Sequence, residues 1–445
     1  MEAVLQQVIN LDDTQKFKAL MYGKDGTYKL GDQYLTQLCA LCDSPGCMAL
    51  SILMGQPVNL DGDVMAPLNC ASYSGSVETA ALLIEAGARI NSVYNDETPL
   101  MTAIRNSTFQ HVNILLQAKA DLVPIEYAAR YARTPDVLIP FMDIGDKDVA
   151  LNEATATGRI DNVQCLLDHG AKPSLMTLLV ACSYNFYFIV KMLLDAGVQA
   201  DDTAMQTCIF WNSLESMQEL TKWGLPCIDF DVHFAIMHNK PKGLTYCLDH
   251  GVSVECEING TLPMHVAARH GRTECLKVLI ERGAHVNCAD NLGCTPLHWA
   301  AIWKNPDALK LLLEHAAYVN ISEGDVYEPL IRAPTPDWSP IHVSVEGRGF
   351  EVVQILLENK ATQLKMWDGR TPLHIAVMNE RNDLFPVLLN FGADLKETNI
   401  QYQTPIELAL SMGRDDLANE LRALATADAA AAQDAKSNFE QAAPK

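Results

Sequence analysis

The chain has 445 residues, 33 of them basic and 55 acidic, for a formal net charge of −22. That balance argues against nucleic acid or an anionic membrane as partner, since both are bound through a basic footprint. With 49% hydrophobic residues the chain can build a core, and its length suggests several domains unless one small unit repeats and the fold grows by addition.

Residues 1–60 carry short apolar helix patterns, Val4, Leu5, Val8 and Ile9, then Phe17, Leu20 and Met21. They read as an N-terminal helical cap or degenerate repeats. Glu2, Asp12 and Asp13 stand where a signal peptide would need a basic start, so none is expected. Cys39, Cys42 and Cys47 form the one tight cluster among 13 cysteines. Their spacing could open a zinc site for a metal-dependent enzyme, the third functional reading. No fourth ligand lies nearby, however, so buried or free thiols are favoured, with no metal and no cofactor. The odd, scattered cysteines imply a reducing compartment, cytoplasmic and also nuclear.

From residue 61 a tetrapeptide returns at a fixed pitch. It reads Thr295-Pro296-Leu297-His298, with close variants at Leu262-Pro263-Met264-His265, Ser339-Pro340-Ile341-His342 and Thr371-Pro372-Leu373-His374. Looser forms begin at Ala66, Thr98 and Thr404. Pro67 to Pro99 spans 32 residues, Pro263 to Pro296 spans 33, and Pro372 to Pro405 spans 33. The Thr or Ser hydroxyl suits a helix N-cap, and proline follows at the first turn, where its missing N–H costs nothing. Small residues come next (Ala267-Ala268, Ala300-Ala301), and a second apolar helix ends in Gly-Ala, as at Gly283-Ala284. Glycine there can take the left-handed conformation that stops a helix.

A period of about 33 with this signature resembles the ankyrin repeat. The resemblance implies an all-α solenoid of stacked helix-turn-helix units with short β-hairpin fingers, roughly thirteen or fourteen units including caps. Consensus-like repeats cover 61–122 and 257–424. Between them, over 123–256, the helix-stop glycines step by only 25 (145 to 170) and then 27 (170 to 197, 197 to 224, 224 to 251). Degenerate repeats with truncated fingers are expected there, the alternative being a separate inserted helical domain. Pro296 to Pro340 spans 44 residues, so about eleven are inserted within 321–338, as a partner-contacting flap or a tolerated loop. The Ala-rich tail, 425–445, is expected to be flexible.

No H-E-x-x-H, G-x-S-x-G or phosphate-cradling glycine loop occurs. The periodic histidines (His265, His298, His342, His374) match a slot that in ankyrin proteins hydrogen-bonds between repeats, so no enzyme is expected. The resemblance implies instead a scaffold or adaptor, monomeric by itself and without a membrane-inserted segment. It would hold a partner protein or peptide on a concave surface made by the fingers and the ends of the first helices. In this register that surface includes Tyr184, Phe210, Trp211, Arg269, His270, Ile302, Trp303, Trp338, Trp367 and Arg370, of the types that dominate interface energetics. Trp299 falls on a core-facing slot. The runner-up is the substrate-recognition subunit of a larger complex such as a ubiquitin ligase. Asn91, Asn287 and Asn320 stand where the family carries a hydroxylatable finger asparagine, and Thr335-Pro336 fits proline-directed phosphorylation.

Overall fold

The computed structural model describes residues 7–21, 35–60, 65–106, 109–320, 339–347, 349–363, 365–366 and 368–426. The 321–338 insertion, with Thr335 and Trp338 in it, lies outside the described residues, as do Trp367 and residues 427–445 of the tail. The chain divides into two compact units, Met1–Thr207 with Glu215–Leu225, and Cys208–Leu214 with Pro226–Lys445.

In unit 1, α1 (Thr14–Met21) precedes consecutive helix pairs: α2 (Leu35–Leu41) with α3 (Pro45–Leu53), α4 (Pro67–Ser74) with α5 (Val77–Glu85), and α6 (Pro99–Asn106) with α7 (Phe109–Gln117). There follow α8 (Ile125–Tyr131) with a 3-10 helix (Pro135–Phe141), α9 (Lys147–Ala156) with α10 (Ile160–Asp168), and α11 (Leu175–Ser183) with α12 (Tyr187–Asp195). Helices α13 (Asp202–Trp211) and α14 (Leu214–Trp223) contribute residues to both units. Unit 2 pairs α15 (Asp229–Met237) with α16 (Pro241–Asp249), α17 (Pro263–Arg269) with α18 (Thr273–Glu281), and α19 (Pro296–Ile302) with α20 (Pro306–Glu314). It continues with α21 (Pro340–Glu346) and α22 (Phe350–Glu358), α23 (Pro372–Met378) and α24 (Phe385–Asn390), then α25 (Pro405–Ser411) and a last helix over 415–426.

Helices this short are marginal alone, so stacking must hold them. In unit 2 the first helices α15, α17, α19, α21, α23 and α25 each pack on the next, and so do the second helices α16, α18, α20 and α22. Unit 1 repeats the arrangement from α2 and α3 onward. Fully buried alanines on the first helices, such as Ala267, Ala300 and Ala376, permit close approach, while Leu279, Leu312, Leu356 and Leu388 fill the second layer.

The helix-stop register of the sequence falls at Gly55, Gly87, Lys119, Gly145, Gly170, Gly197, Gly224, Gly251, Gly283, Ala316, Lys360 and Gly392, and all twelve are left-handed. The nine glycines among them have φ between +78° and +107°, and Lys119, Ala316 and Lys360 take +64°, +63° and +66°. A second left-handed register, not drawn from the sequence, sits at the turn inside most of the pairs. There Gly158, Asn185, Asn212 and Asn239 follow one another at steps of 27 (185 − 158, 212 − 185, 239 − 212). Across the middle the helix pairs continue with short connections, 169–174 and 196–201, where 282–295 joins α18 to α19.

The fingers are slighter than hairpins. Among the described residues they contain isolated bridges only, Tyr94 with Glu97 and Ile258 with Thr261. Single backbone bonds tie neighbouring tips, Asn291 N to Gly260 O at 3.2 Å and Ile400 N to Asp368 O at 2.9 Å. A Cβ on Gly260 would overlap the Asn291 side chain, and one on Gly369 would meet the Asn399 backbone at 2.9 Å. The backbone approach requires glycine at Gly369, and a left-handed φ of +77° favours it at Gly260.

The signature histidines His265 and His374 bridge repeats. His374 Nδ1 accepts from Thr371 N at 3.2 Å, and its Nε2 meets Gln403 O of the next repeat at 3.0 Å. A backbone N–H only donates and a carbonyl only accepts, so the ring is neutral with its proton on Nε2. His298 and His342 make the same bonds to Thr295 and Ser339. His265 reaches Cys294 O at 2.9 Å, but its cap position is Leu262, and its buried Nδ1 has no partner.

Candidate partner-binding surface

The first helices of unit 2 end one beside the next, and contacts between those ends make a continuous row. Arg269 closes α17. Its guanidinium lies 4.5 Å from the ring centre of Trp303, which caps α19, and 5.4 Å from that of Trp299. Trp299 is half-buried rather than core: its Nε1 donates to Asp290 Oδ2 at 2.7 Å. Asp290 Oδ1 accepts from Leu292 N and Cys294 N at 2.9 and 2.8 Å, so one finger carboxylate closes its own turn and aims the indole. Asn305, in the turn after α19, donates to Ala268 O and Arg269 O at 2.8 and 2.7 Å, fastening the end of α17 to the next repeat.

Toward lower residue numbers the row continues. Arg272 Nη2 donates to Met237 O at 3.0 Å, joining the α17–α18 turn to the end of α15. His238 meets Phe210 edge-on at 5.2 Å, Lys240 Nζ stands 4.9 Å from the Phe210 ring centre, and Trp211 packs edge-on against Phe210. Trp211 and Trp303 remain 59% and 49% exposed, while Phe210 and Ile302 are 37% and 38% exposed. These values leave the tryptophan faces available to a partner.

The electrostatics of the row run against the molecule's overall charge. Among the described residues no carboxylate lies within ion-pair distance of Lys240, Arg269, Arg272 or Lys304, whereas Lys277, Arg282, Lys310 and Arg381 are all paired. Burial first, then the Arg269 and Arg272 charges, holds His270 below the usual histidine range. In unit 1 the arginines at the ends of α6 and α8 are paired instead, whereas Arg133 and Arg159 each donate to a helix-end carbonyl, as Arg272 does. Arg105 pairs with Glu97 at 2.5 Å and stacks 4.7 Å from the Tyr131 ring centre, and Arg130 pairs with Glu153 at 3.3 Å.

The sequence-derived residues therefore separate. Phe210, Trp211, Arg269, His270, Ile302 and Trp303 share the unit 2 row. Tyr184 lies in unit 1, stacked on Phe186 at 5.7 Å. Arg370 is held in its own finger, with Nε 2.5 Å from Asp368 Oδ2 and Nη1 3.5 Å from Met378 Sδ. Sequence register missed Lys240, Arg272 and Lys304, although the turn position inside each pair, one to three residues past each mapped helix end, was a usable signal.

The finger asparagines serve as staples. Asn91 Oδ1 accepts from Asp121 N at 2.9 Å, Asn287 Oδ1 from Tyr318 N at 2.8 Å and Asn320 Oδ1 from Thr362 N at 2.7 Å. Asn59 makes the same bond to Arg89 N at 2.6 Å. At the other end of unit 1, Cys39 and Cys47 are buried, burial pushes the Cys39 thiol up to about 12, and its sulfur lies 3.7 Å from Ser51 Oγ. Among the described residues no three His, Cys, Asp or Glu side chains gather to hold a metal ion. No helix of the described residues is long and apolar enough to cross a membrane.

A family model described as "Ankyrin repeats (3 copies)" matches residues 38–126, 232–323, 325–399 and 341–431. The chain belongs to the ankyrin-repeat family. The matches to this ankyrin-repeat chain fall on either side of 127–231, where the repeats step by 25 to 27. Neurogenic locus notch homolog protein 1 of Homo sapiens is 30% identical over 161 residues, 36% of this chain and 5% of that protein. The Drosophila melanogaster Notch protein is 30% identical over 138 residues, 31% of this chain and 4% of its own. E3 ubiquitin-protein ligase KEG of Arabidopsis thaliana is 24% identical over 271 residues, 50% of this chain and 17% of that protein. The chain spans only a small part of the curated relatives it matches. The crystal structure of the ankyrin repeat domain of Bcl-3 is 21% identical, with a TM-score of 0.40, covering 55% of this chain and 97% of that one.

Proposed function

We propose that this ankyrin-repeat chain is an interaction scaffold that holds a segment of a partner protein along the unit 2 row from Phe210 to Trp303. Ankyrin repeats are generally protein-interaction modules, and the observation that carries the site is the exposed Trp303 face with Arg269 stacked on it. Aromatic and arginine anchors supply most of the affinity at such surfaces. Buried cysteines on the helices, such as Cys182 and Cys275, support a reducing compartment, the cytoplasm or nucleus, as its working place. The test is capture of partners by the full chain and by Trp303→Ala and Trp211→Ala. Loss of the same partner from both variants, with melting temperatures kept within a few degrees, supports the site. Wild-type capture by both removes it.

A second reading, the substrate-recognition part of a ubiquitin ligase, is supported by the likeness to KEG. Ubiquitin transfer by the purified native complex separates the two.

A further inference from the structure

The row presents four cations from three successive repeats, Lys240, Arg269, Arg272 and Lys304, in a chain whose formal charge is −22. Each stands at or just past the end of a first helix, and each lacks a carboxylate among the described residues. Two are placed by aromatic rings instead, Lys240 over Phe210 and Arg269 over Trp303. Arg272 is fixed by Met237 O through one nitrogen, while its buried Nε has no hydrogen-bond partner. A guanidinium held by a carbonyl, as in Arg272, or by a ring, as in Arg269, keeps its charge, because neither contact neutralises it. Beside the cations stand the exposed apolar surfaces of Trp211, Ile302 and Trp303.

We infer that the segment held on this row is an acidic peptide in which Asp or Glu side chains alternate with aromatic or aliphatic ones. This rests on the binding reading above and names the partner's chemistry. The carboxylates complement the unpaired cations, and the intervening side chains cover the indole faces. Packed helices lie about 8–10 Å apart, so the four ends from α13 to α19 span roughly 27 Å. An extended strand rises about 3.3 Å per residue, so about eight residues cover that distance. Side chains two apart on such a strand share a face, which matches acidic groups directed to the helix turns and apolar groups directed to the rings. Nucleic acid would also answer to cations beside aromatic rings. The surrounding excess of carboxylates repels a polyanion many charges long more strongly than a short acidic peptide, which favours the peptide.

The experiment selects from displayed random decapeptides on the immobilised full chain, then measures labelled survivors by fluorescence anisotropy. Supporting results are survivors rich in Asp and Glu interleaved with Phe, Tyr, Trp or Leu, and binding at least tenfold weaker in high salt and in Arg269→Glu. Lys304→Glu, an exposed site, serves where Arg269→Glu lowers the melting temperature. Neutral or basic survivors that need Trp303 but ignore both charge reversals overturn this inference and leave the binding reading standing. Survivors indifferent to Trp303→Ala overturn both, as does an empty selection. An oligothymidylate that binds tightly and loses binding in Arg269→Glu, with no acidic peptide recovered, replaces the peptide with nucleic acid.

Discussion

The guanidinium of Arg269 sits 4.5 Å from the ring centre of Trp303, although the two residues belong to different repeats. The contact couples the ends of α17 and α19 on the exposed edge of unit 2. It holds a charge in place without cancelling it, which an ion pair would not do.

This coupling is measurable apart from any partner. An exposed cation–π pair contributes about 0.5–1 kcal/mol, so a double-mutant cycle of Arg269→Ala and Trp303→Ala in urea denaturation should show non-additivity of that size. Strictly additive losses would mean the stacking carries no stability.

His265 lacks the hydroxyl that Thr295, Ser339 and Thr371 give its counterparts. Leu262→Thr supplies an acceptor and donor beside the buried Nδ1, and should raise stability by about 1 kcal/mol. The reverse change, Thr371→Leu, removes the hydroxyl that meets His374 Nδ1 at 2.9 Å and accepts from His374 N, and should cost about 1 kcal/mol. Urea midpoints of the two variants check both signs.

Ala316 holds φ +63° at a helix stop where most repeats carry glycine. A Cβ in the left-handed region costs roughly 1–2 kcal/mol, partly offset by the greater unfolded-state freedom of glycine. Ala316→Gly should therefore stabilise unit 2 by up to about 1 kcal/mol, read as a higher urea midpoint. A lower midpoint would show that the alanine methyl packs against something essential.

Buried histidines tie stability to pH. Burial lowers His111, bonded to Ser72 Oγ at 3.1 Å, from 6.5 to about 4, and burial likewise lowers His374. The unfolded chain then binds more protons than the folded one between these values, so stability is full above about 6.5 and declines as pH falls toward 4. For His111 alone the loss is on the order of 3 kcal/mol across that window. Melting curves at successive pH values should show the decline, and His111→Gln should flatten it. An unchanged slope in that variant would place the proton uptake elsewhere.

Much of this architecture was legible because its signals are local. A proline at the first turn and a left-handed residue at the stop act within a few residues of themselves, so twelve stop positions could be located along the chain and all twelve are left-handed. The fingers were harder, since one backbone bond such as Asn291 N to Gly260 O depends on the neighbouring repeat. Trp299 was misjudged for a related reason. Its slot faces inward, yet Asp290, nine residues earlier, draws the indole N–H into the finger and leaves the ring half-open to Arg269.

The chain by itself determined the repeat period, the helix pairs and the shortening across the middle, because each follows from capping, backbone conformation and spacing inside one unit. Only the tertiary structure decided which charges survive. Arg105 and Arg269 occupy like positions at the ends of first helices, but Glu97 reaches the first and no carboxylate reaches the second. That outcome depends on how a finger meets the end of a first helix in space, as Glu97 does with Arg105 eight residues further along the chain. Coulomb attraction falls with distance in space and is indifferent to distance along the sequence.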